Sequence, residues 1–496
     1  MKRKNVLTII LDQVTLTDIG YAGGKICKTP NIDALAARSV DFQKTYTVTP
    51  VCSPARGTFM TGVFPHSHRI FQNPESVLGT DTDMADDHLS IGPVLKDAGY
   101  NLGFVGKYHV GEKLPHDYGF EGMNVPGHGS GGYASPDKTW GNCDEYNEYL
   151  AKNGYKKGRL RNPAYIPGCV TGGSIEGPEE ATVPHFLAET TNELLAKFGT
   201  DYHEHDKPFY LTLNFWGPHG PAYSPEPYAS MYMDADIQPP TSFDEDTSDK
   251  PQIHHTVCEA PNEDWEFFKN PVAYYYGFLT FIDKQIGKVL AKLEGEGLAD
   301  NTIIIFTADH GGFHGHHGGC LNKGFRMYEE ITRVPMLVYD PDSEGGRKLD
   351  GFAGISDVYP TILDYANVEI PEGRHGRSLK PIVTDSSATN SGQDIAVTEF
   401  HGLAGILCLQ RAICFDNYKY VYNPGDIDEF YDLDIDPHEM TNLVNSVDSE
   451  LLRSAKVKLF EWMQETNDRA IGDFGQINDL YEVPPVKAYG FEVVED

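Results

Sequence analysis

Positive charge is scarce in this sequence: 40 lysines and arginines stand against 73 aspartates and glutamates, a formal net charge of −33 over 496 residues. Phosphate backbones are gripped by basic surfaces, so nucleic acid is excluded as an expected partner. A uniformly acidic surface also repels long polyanions at low salt, which favours small or sparsely charged substrates. Cysteine is sparse too. The eight, at 27, 52, 143, 169, 258, 320, 408 and 414, are dispersed without a Cys-x-x-Cys pair, which excludes a dense disulfide framework. Long apolar runs are missing as well. The first, Val6 to Leu11, is shorter than the core of an export signal and has no small-residue cleavage site after it. No stretch approaches the ~20 apolar residues of a membrane span. A reducing cytoplasm, with no membrane partner, is the expectation.

What is present is the composition of a globular α/β enzyme, with 40% hydrophobic residues, 32 prolines and 50 glycines. The length predicts one large domain and a smaller appended one. Several apolar runs have the continuous character of parallel strands buried on both faces. Val6 to Leu11 runs into Asp12-Gln13, and Asn101 to Val105 into Gly106-Lys107-Tyr108-His109. Phe209 to Phe215 runs into Trp216-Gly217-Pro218-His219, and Thr302 to Phe306 into Thr307-Ala308-Asp309-His310. Ligands of open α/β sheets sit beyond the carboxyl ends of the strands, so four strands ending in Asp, His or Lys point to one shared site. Helical spacing intervenes, at Leu187, Leu194, Leu195 and Phe198 and again from Phe278 to Leu293. The order predicts a large, mostly parallel sheet sandwiched by helices.

The sharpest motif is Cys52-Ser53-Pro54-Ala55-Arg56-Gly57-Thr58-Phe59-Met60-Thr61-Gly62. Ser53 suits a helix cap, Pro54 the first turn and Gly62 the end. Cys52 then lies at a helix N-terminus, where main-chain N–H groups favour an anion, and Arg56 returns to the same face one turn later. Taken alone, Cys-x-Pro-x-Arg reads equally well as a buried cysteine beside a surface arginine.

The longer segment resembles the signature of the formylglycine-dependent sulfatases, within the alkaline phosphatase superfamily. Thr29-Pro-Asn-Ile-Asp-Ala-Leu-Ala precedes it and Thr61-Gly-Val-Phe-Pro-His-Ser-His follows. Gly106-Lys-Tyr-His-Val-Gly resembles the family's Gly-Lys-Trp-His-Leu-Gly, with Tyr108 in place of tryptophan. The block from Lys323 to Pro335, Asp357-Val-Tyr-Pro-Thr-Ile-Leu, Gly376-Arg-Ser-Leu and the segment from Phe430 to Leu443 extend the likeness over nearly the whole chain.

The resemblance implies a hydrolase of aryl or carbohydrate sulfate esters. Its nucleophile is the hydrated aldehyde formed when a maturation enzyme oxidises Cys52 to formylglycine, and the sulfated hydrate collapses by C–O cleavage without water attacking sulfur. It places Asp12, Gln13, Asp309 and His310 around a divalent metal, calcium first because the donors are mostly oxygen. Gln13 stands where many relatives have a second Asp, and His310 where some have Asn; fewer carboxylates and an imidazole leave manganese or magnesium open. By the same resemblance Arg56 and Lys107 hold the diol, and His109 is the base that helps expel sulfate. His219 and Lys323 contact the sulfate, with His219 the proton donor to the leaving oxygen, since an ordinary imidazole titrates near 6.5.

Asn73 and His317 match positions near substrate, and the pair Glu399 and His401 is a candidate wall from the smaller domain. The cluster His314-Gly-His-His317 invites a zinc reading but lacks a fourth ligand at suitable spacing. Residues 1–385 are expected to form the catalytic α/β domain. Residues 386–496 are expected to form a smaller subdomain, an antiparallel sheet with strands near 396–400, 406–414 and 418–422 and a helix at 449–463. The tail from 470 suits either contact with a second subunit of a homo-oligomer or cover for its own core. Residues 124–180, rich in Gly, Pro, Tyr and Asn, read as long pocket-shaping loops. Two other functions compete. A phosphonate or phosphodiester hydrolase of the same superfamily typically has neutral hydroxyl side chains where Lys107 and His109 stand, and an inactive sulfated-glycan-binding protein would not need the full reactive set.

Overall fold

The computed structural model describes residues 3–73, 84, 90–111, 113–123, 144–166, 169–256, 263–478 and 480. The apolar runs become the middle of an eight-stranded sheet. Its order is Arg347–Gly354, Val40–Tyr46, Met336–Tyr339, Thr302–Ala308, Asn5–Asp12, Phe209–Pro218, Asn101–Gly106 and Glu121–Gly122. Asn5–Asp12 is central and wholly buried, pairing in parallel with Phe209–Pro218 on one side (Val6 against Tyr210) and with Thr302–Ala308 on the other (Val6 against Ile303). Leu7, Ile9 and Leu11 are fully buried, and each such side chain contributes about 2 kcal/mol of hydrophobic stabilisation. Met336–Tyr339 runs antiparallel to both neighbours, so the sheet is mixed although mostly parallel.

Helices flank the sheet. Val183–His205 and Trp265–Gly295 pack on each other and on the Phe209–Pro218 strand. The second is capped by Asp264, which accepts from Phe267 N, and buries the stripe Phe278, Leu279, Ile282, Ile286, Val289 and Leu293. Cys52–Thr61 packs instead beside Val358–Tyr365. Among the described residues no helix is long and apolar enough to cross a membrane.

The C-terminal region forms a four-stranded antiparallel sheet, Ile395–Phe400, Gln410–Phe415, Tyr418–Tyr422 and Glu429–Asp432, followed by the helix Ser449–Thr466. The second strand starts at Gln410, later than its apolar character implies. Gly402, Ala404 and Gly405 adopt positive φ there and turn the chain through a Leu403–Ile406 bridge. The fourth strand is too short for its alternation to stand out from the acidic segment around it. Asp385, near which the boundary was expected, is the C-cap of the helix Lys380–Thr384. Within the stretch read as loops there is a helix, Asp144–Asn153, and a hairpin, Arg159–Ile166 with Cys169–Glu176, which Ala222–Ser224 extends to three strands. The rest of that stretch, 124–143, and the tail beyond 480 lie outside the described residues.

Candidate active site

Four strand ends deliver their side chains to one buried point. Asp12 closes the central strand, and Gln13 turns away from it with φ 57°. Asp309 and His310 follow Thr302–Ala308, Lys107 and His109 follow Asn101–Gly106, and His219 follows Phe209–Pro218. Main-chain bonds lock these ends together: Asp309 N donates to Leu11 O (3.1 Å), Val14 N to His310 O (3.1 Å) and His219 N to Asp12 O (3.0 Å). Gly106 lets Lys107 turn inward. It has φ +97°, and a Cβ there would lie 1.8 Å from Asn214 O, the atom that also accepts from Lys107 N. Only glycine tolerates both demands.

Cys52 is the first residue of the fully buried helix Cys52–Thr61, with Val51 as N-cap. Ser53 does not cap it: its Oγ is buried without a partner, because it already lies inside the first turn. Asn73 takes that role from outside, its Oδ1 accepting from Ser53 N (3.1 Å). The Cys52 Sγ meets Lys323 Nζ at 2.7 Å and His310 Nε2 at 3.2 Å, and lies 3.8 Å from Asp12 Oδ1. One turn on, Arg56 donates to Lys107 O (2.9 Å) and pairs with Asp309 Oδ2 (2.9 Å) and Asp12 Oδ2 (3.4 Å). Lys107 Nζ forms a close ion pair with Asp12.

The electrostatics follow from this packing. Burial pushes the Cys52 thiol up, but Lys107, Lys323 and His310, with a hydrogen bond from His109, outweigh it and bring the thiol well below its ordinary value. Burial and Cys52 likewise raise Asp12, and Lys107, His219 and Arg56 override them, leaving the carboxyl at about 2. His219 moves the other way: burial, then the Lys323 ammonium, press its imidazole below the usual range. Its Nδ1 lies 2.7 Å from Gly220 O, which suits an N–H donor at that position.

The donor set accommodates a divalent cation. Ligand atoms of Asp12, Cys52, Asp309 and His310 all lie within 4.8 Å of one another. Gln13, next to Asp12 in the chain, has a buried side-chain carbonyl oxygen with no hydrogen-bond partner. Three oxygen donors and one imidazole fit a hard to borderline ion.

Two expected substrate contacts lie elsewhere. His317 is sandwiched between carboxylates, Nδ1 3.0 Å from Glu245 and Nε2 3.1 Å from Glu330, and stacks on Tyr328 at 3.7 Å. Both ring nitrogens are committed, so it braces the loop and contacts no substrate. His401 packs on Phe71 (4.6 Å) and points at Glu399 (3.3 Å). Glu399 itself is buried and accepts from His66 N and from His66 Nδ1, both at 2.7 Å. It ties the turn after the Cys52 helix to the small sheet instead of lining a pocket. The zinc reading has no geometric basis, since His314, His316 and His317 point to different partners. His314 stacks on Tyr275 (3.7 Å), and His316 bonds Glu330 (3.0 Å).

A cleft of about 460 Å³ opens in front of His219, Lys323, Gln13 and Asn73. The sequence reading missed most of its walls: the hairpin tip (Ile166, Val170, Thr171), the start of the long helix (Pro271, Val272, Tyr275), His314, Asn322, and Leu403 with Ala404 from the small sheet. Burial pushes the His314 imidazole down to about 3, so this wall is neutral. Only the clustering of Pro, Gly and aromatic residues hinted at these segments, because each is an ordinary element brought near by the fold.

A sequence profile described as "Sulfatase" matches residues 4–368, with Cys52, the strand ends and Lys323 inside it. The chain belongs to the sulfatase family. It is an enzyme of the sulfuric ester hydrolases. A second profile, "N-sulphoglucosamine sulphohydrolase, C-terminal", matches residues 315–466. An arylsulfatase of Clostridium perfringens is 28% identical over 93% of this sulfatase and 95% of its own length. Among solved structures, one in complex with its substrate D-glucosamine-2-N,6-O-disulfate superposes with a TM-score of 0.71 at 20% identity, covering 94% of this chain and 99% of the other. A phosphonate monoester hydrolase of Agrobacterium radiobacter superposes with a TM-score of 0.73 at 24% identity, covering 94% and 96%. These two likenesses establish the shared alkaline-phosphatase-like fold of this sulfatase.

Proposed function

We propose that this sulfatase cleaves a small sugar or aryl sulfate with a nucleophile made by a maturation enzyme from Cys52, oxidised to formylglycine. The observation that carries the reading is the setting of Cys52: a helix N-terminus, a lysine at 2.7 Å, and the donor set of Asp12, Asp309 and His310 around the same atom. The hydrated aldehyde supplies a hydroxyl nucleophile where the thiol stands. Asp12, Gln13, Asp309 and His310 would hold a divalent ion, calcium by preference, whose charge draws the ester and polarises its oxygens.

The chain's own residues do the rest. Lys323 faces the incoming anion. Arg56 and Lys107 are pinned against Asp12 and Asp309, so their charges stay fixed while the reaction proceeds. His109, bonded to the Cys52 side chain, would be the base that helps expel sulfate, taking the proton of the hydroxyl left on the sulfated hydrate. His219 is held uncharged without substrate. A bound sulfate favours its protonated form, which readies it to donate to the leaving oxygen.

Mass spectrometry of the Cys52 peptide from a preparation co-expressed with a maturation enzyme tests the nucleophile, with the aldehyde expected in place of the thiol. The same preparation should prefer an aryl sulfate over the matching phenyl phosphonate ester. A preference for the phosphonate would assign the chain to the chemistry of the Agrobacterium structure instead. Exhaustive chelation is expected to abolish turnover and lower the melting temperature, and calcium to restore both, by mass action on the folded state. Better recovery with manganese or magnesium would correct the choice of ion.

A further inference from the structure

Resting on the sulfatase reading above, the cleft composition narrows the substrate class. Three segments bring apolar side chains to the cleft: Ile166 and Val170 from the hairpin, Pro271 and Val272 from the long helix, and Leu403 and Ala404 from the turn between the first two strands of the small sheet. Of the lining side chains that can hydrogen-bond, Gln13, Asn73, Thr171, Asn322 and Tyr275 carry no charge, and His219 and His314 are imidazoles. Among the described lining residues no aspartate or glutamate appears, and Lys323 is the only lysine or arginine. That lysine sits 2.7 Å from Cys52 Sγ, so it belongs to the sulfate undergoing reaction. Beyond the ester, the described walls offer neither a cation for a second anionic group nor a carboxylate for a cationic one.

A charge moved from water into such walls without a partner loses its solvation and regains nothing. The net charge of −33 works in the same direction at long range, by disfavouring approach of a polyanion. We propose that the substrate is the monosulfate of an uncharged alcohol, and that the cleft rejects alcohols bearing either a second anionic group or a quaternary ammonium. A volume of about 460 Å³ suits one ring or two.

The test uses the matured, metal-replete full chain and three sulfates: para-ethylphenyl, para-(carboxymethyl)phenyl and para-(trimethylammoniomethyl)phenyl. The methylene spacers blunt differences in leaving-group acidity, the residual one favouring the ammonium ester against the expected order, and about 0.5 M salt screens the global field to within a few ångströms. The neutral ester should exceed both charged ones in kcat/KM by at least about tenfold. Leu403→Lys, which adds a cation to the cleft wall beside Gly324, should raise the ratio of carboxymethyl to ethyl substrate by about tenfold. A smaller margin for the neutral ester, or no change of ratio in the variant, overturns the inference while leaving sulfatase activity standing. Turnover of none of the three by aldehyde-bearing enzyme takes down the sulfatase reading as well.

Discussion

At the scale of single residues, Cys52 and Gly106 matter for opposite reasons. Cys52 is chemistry: its sulfur meets Lys323 and His310 and lies 3.8 Å from Asp12, and burial shields those groups from water. Cys52→Ala keeps the helix, since alanine suits its first turn. It should lower kcat on an aryl sulfate by about 10³-fold or more while circular dichroism stays unchanged. Gly106 is geometry. Gly106→Ala forces a methyl group onto Asn214 O in a left-handed conformation, so stability should fall by about 3 kcal/mol or more, read by calorimetry. Activity should fall with it, because Lys107 is aimed by that turn. Of the candidate residues, those at strand ends were legible because a long apolar run announces where its strand stops. The partners of His317 and His401 were not legible, because a histidine's partner is invisible in sequence: Glu245 lies 72 residues from His317.

At the scale of elements, the loop after Asp309 is braced by a buried ionic layer that the reaction does not use. Burial alone would lower His317, yet Glu330 and Glu245 outweigh it and raise its pKa from 6.5 to about 9. The folded value lies above the unfolded one, so this stabilisation is complete below about pH 6.5 and is lost as pH rises through about 9. Urea midpoints should therefore drop between about pH 7 and about pH 10 in the wild type. His317→Gln takes from two buried carboxylates the imidazolium they share, leaving Glu245 to Lys250 (3.4 Å) and Glu330 to His316 (3.0 Å). It should cost about 3 kcal/mol at neutral pH and flatten that alkaline loss; an unchanged slope would mean the layer carries no charge. The core elements here were legible: the apolar stripes from Leu187 to Phe198 and Phe278 to Leu293 lie inside the two long helices. The hairpin at 159–176 was not, since its strands are half exposed and their alternation is broken by two register shifts.

At the scale of the whole molecule, the small sheet is part of the catalytic architecture. Thr398 Oγ1 donates to Thr47 O (2.6 Å) and Glu399 N to Val48 O (2.8 Å), just ahead of the Cys52 helix. Lys419 Nζ donates to Met327 O (2.9 Å) in the block that carries Lys323, and Phe400, Ala412 and Val421 pack on Val51, Phe325 and Met327. Cutting the chain after residue 385 would expose that cluster and leave Glu329 without Lys419. The truncated protein should aggregate or elute as a misfolded species on gel filtration; a monomeric, fully folded fragment would show that the sheet is only appended.

The sheet, the helices that flank it, the family and the point where the strand-end side chains converge were all legible along the chain. These rest on local signals: apolar runs, helical spacing, and motifs whose residues lie within one turn of each other. Which side chains reach the cleft and which are spent on the core depends on long-range packing. Those contacts join segments tens to hundreds of residues apart, such as His66 with Glu399 at a separation of 333. Nothing in the local chemistry of a histidine or a leucine says which distant carboxylate or cavity it will meet. Packing settles that, by bringing the walls together and leaving Lys323 the only lysine or arginine among the described residues that line the cleft.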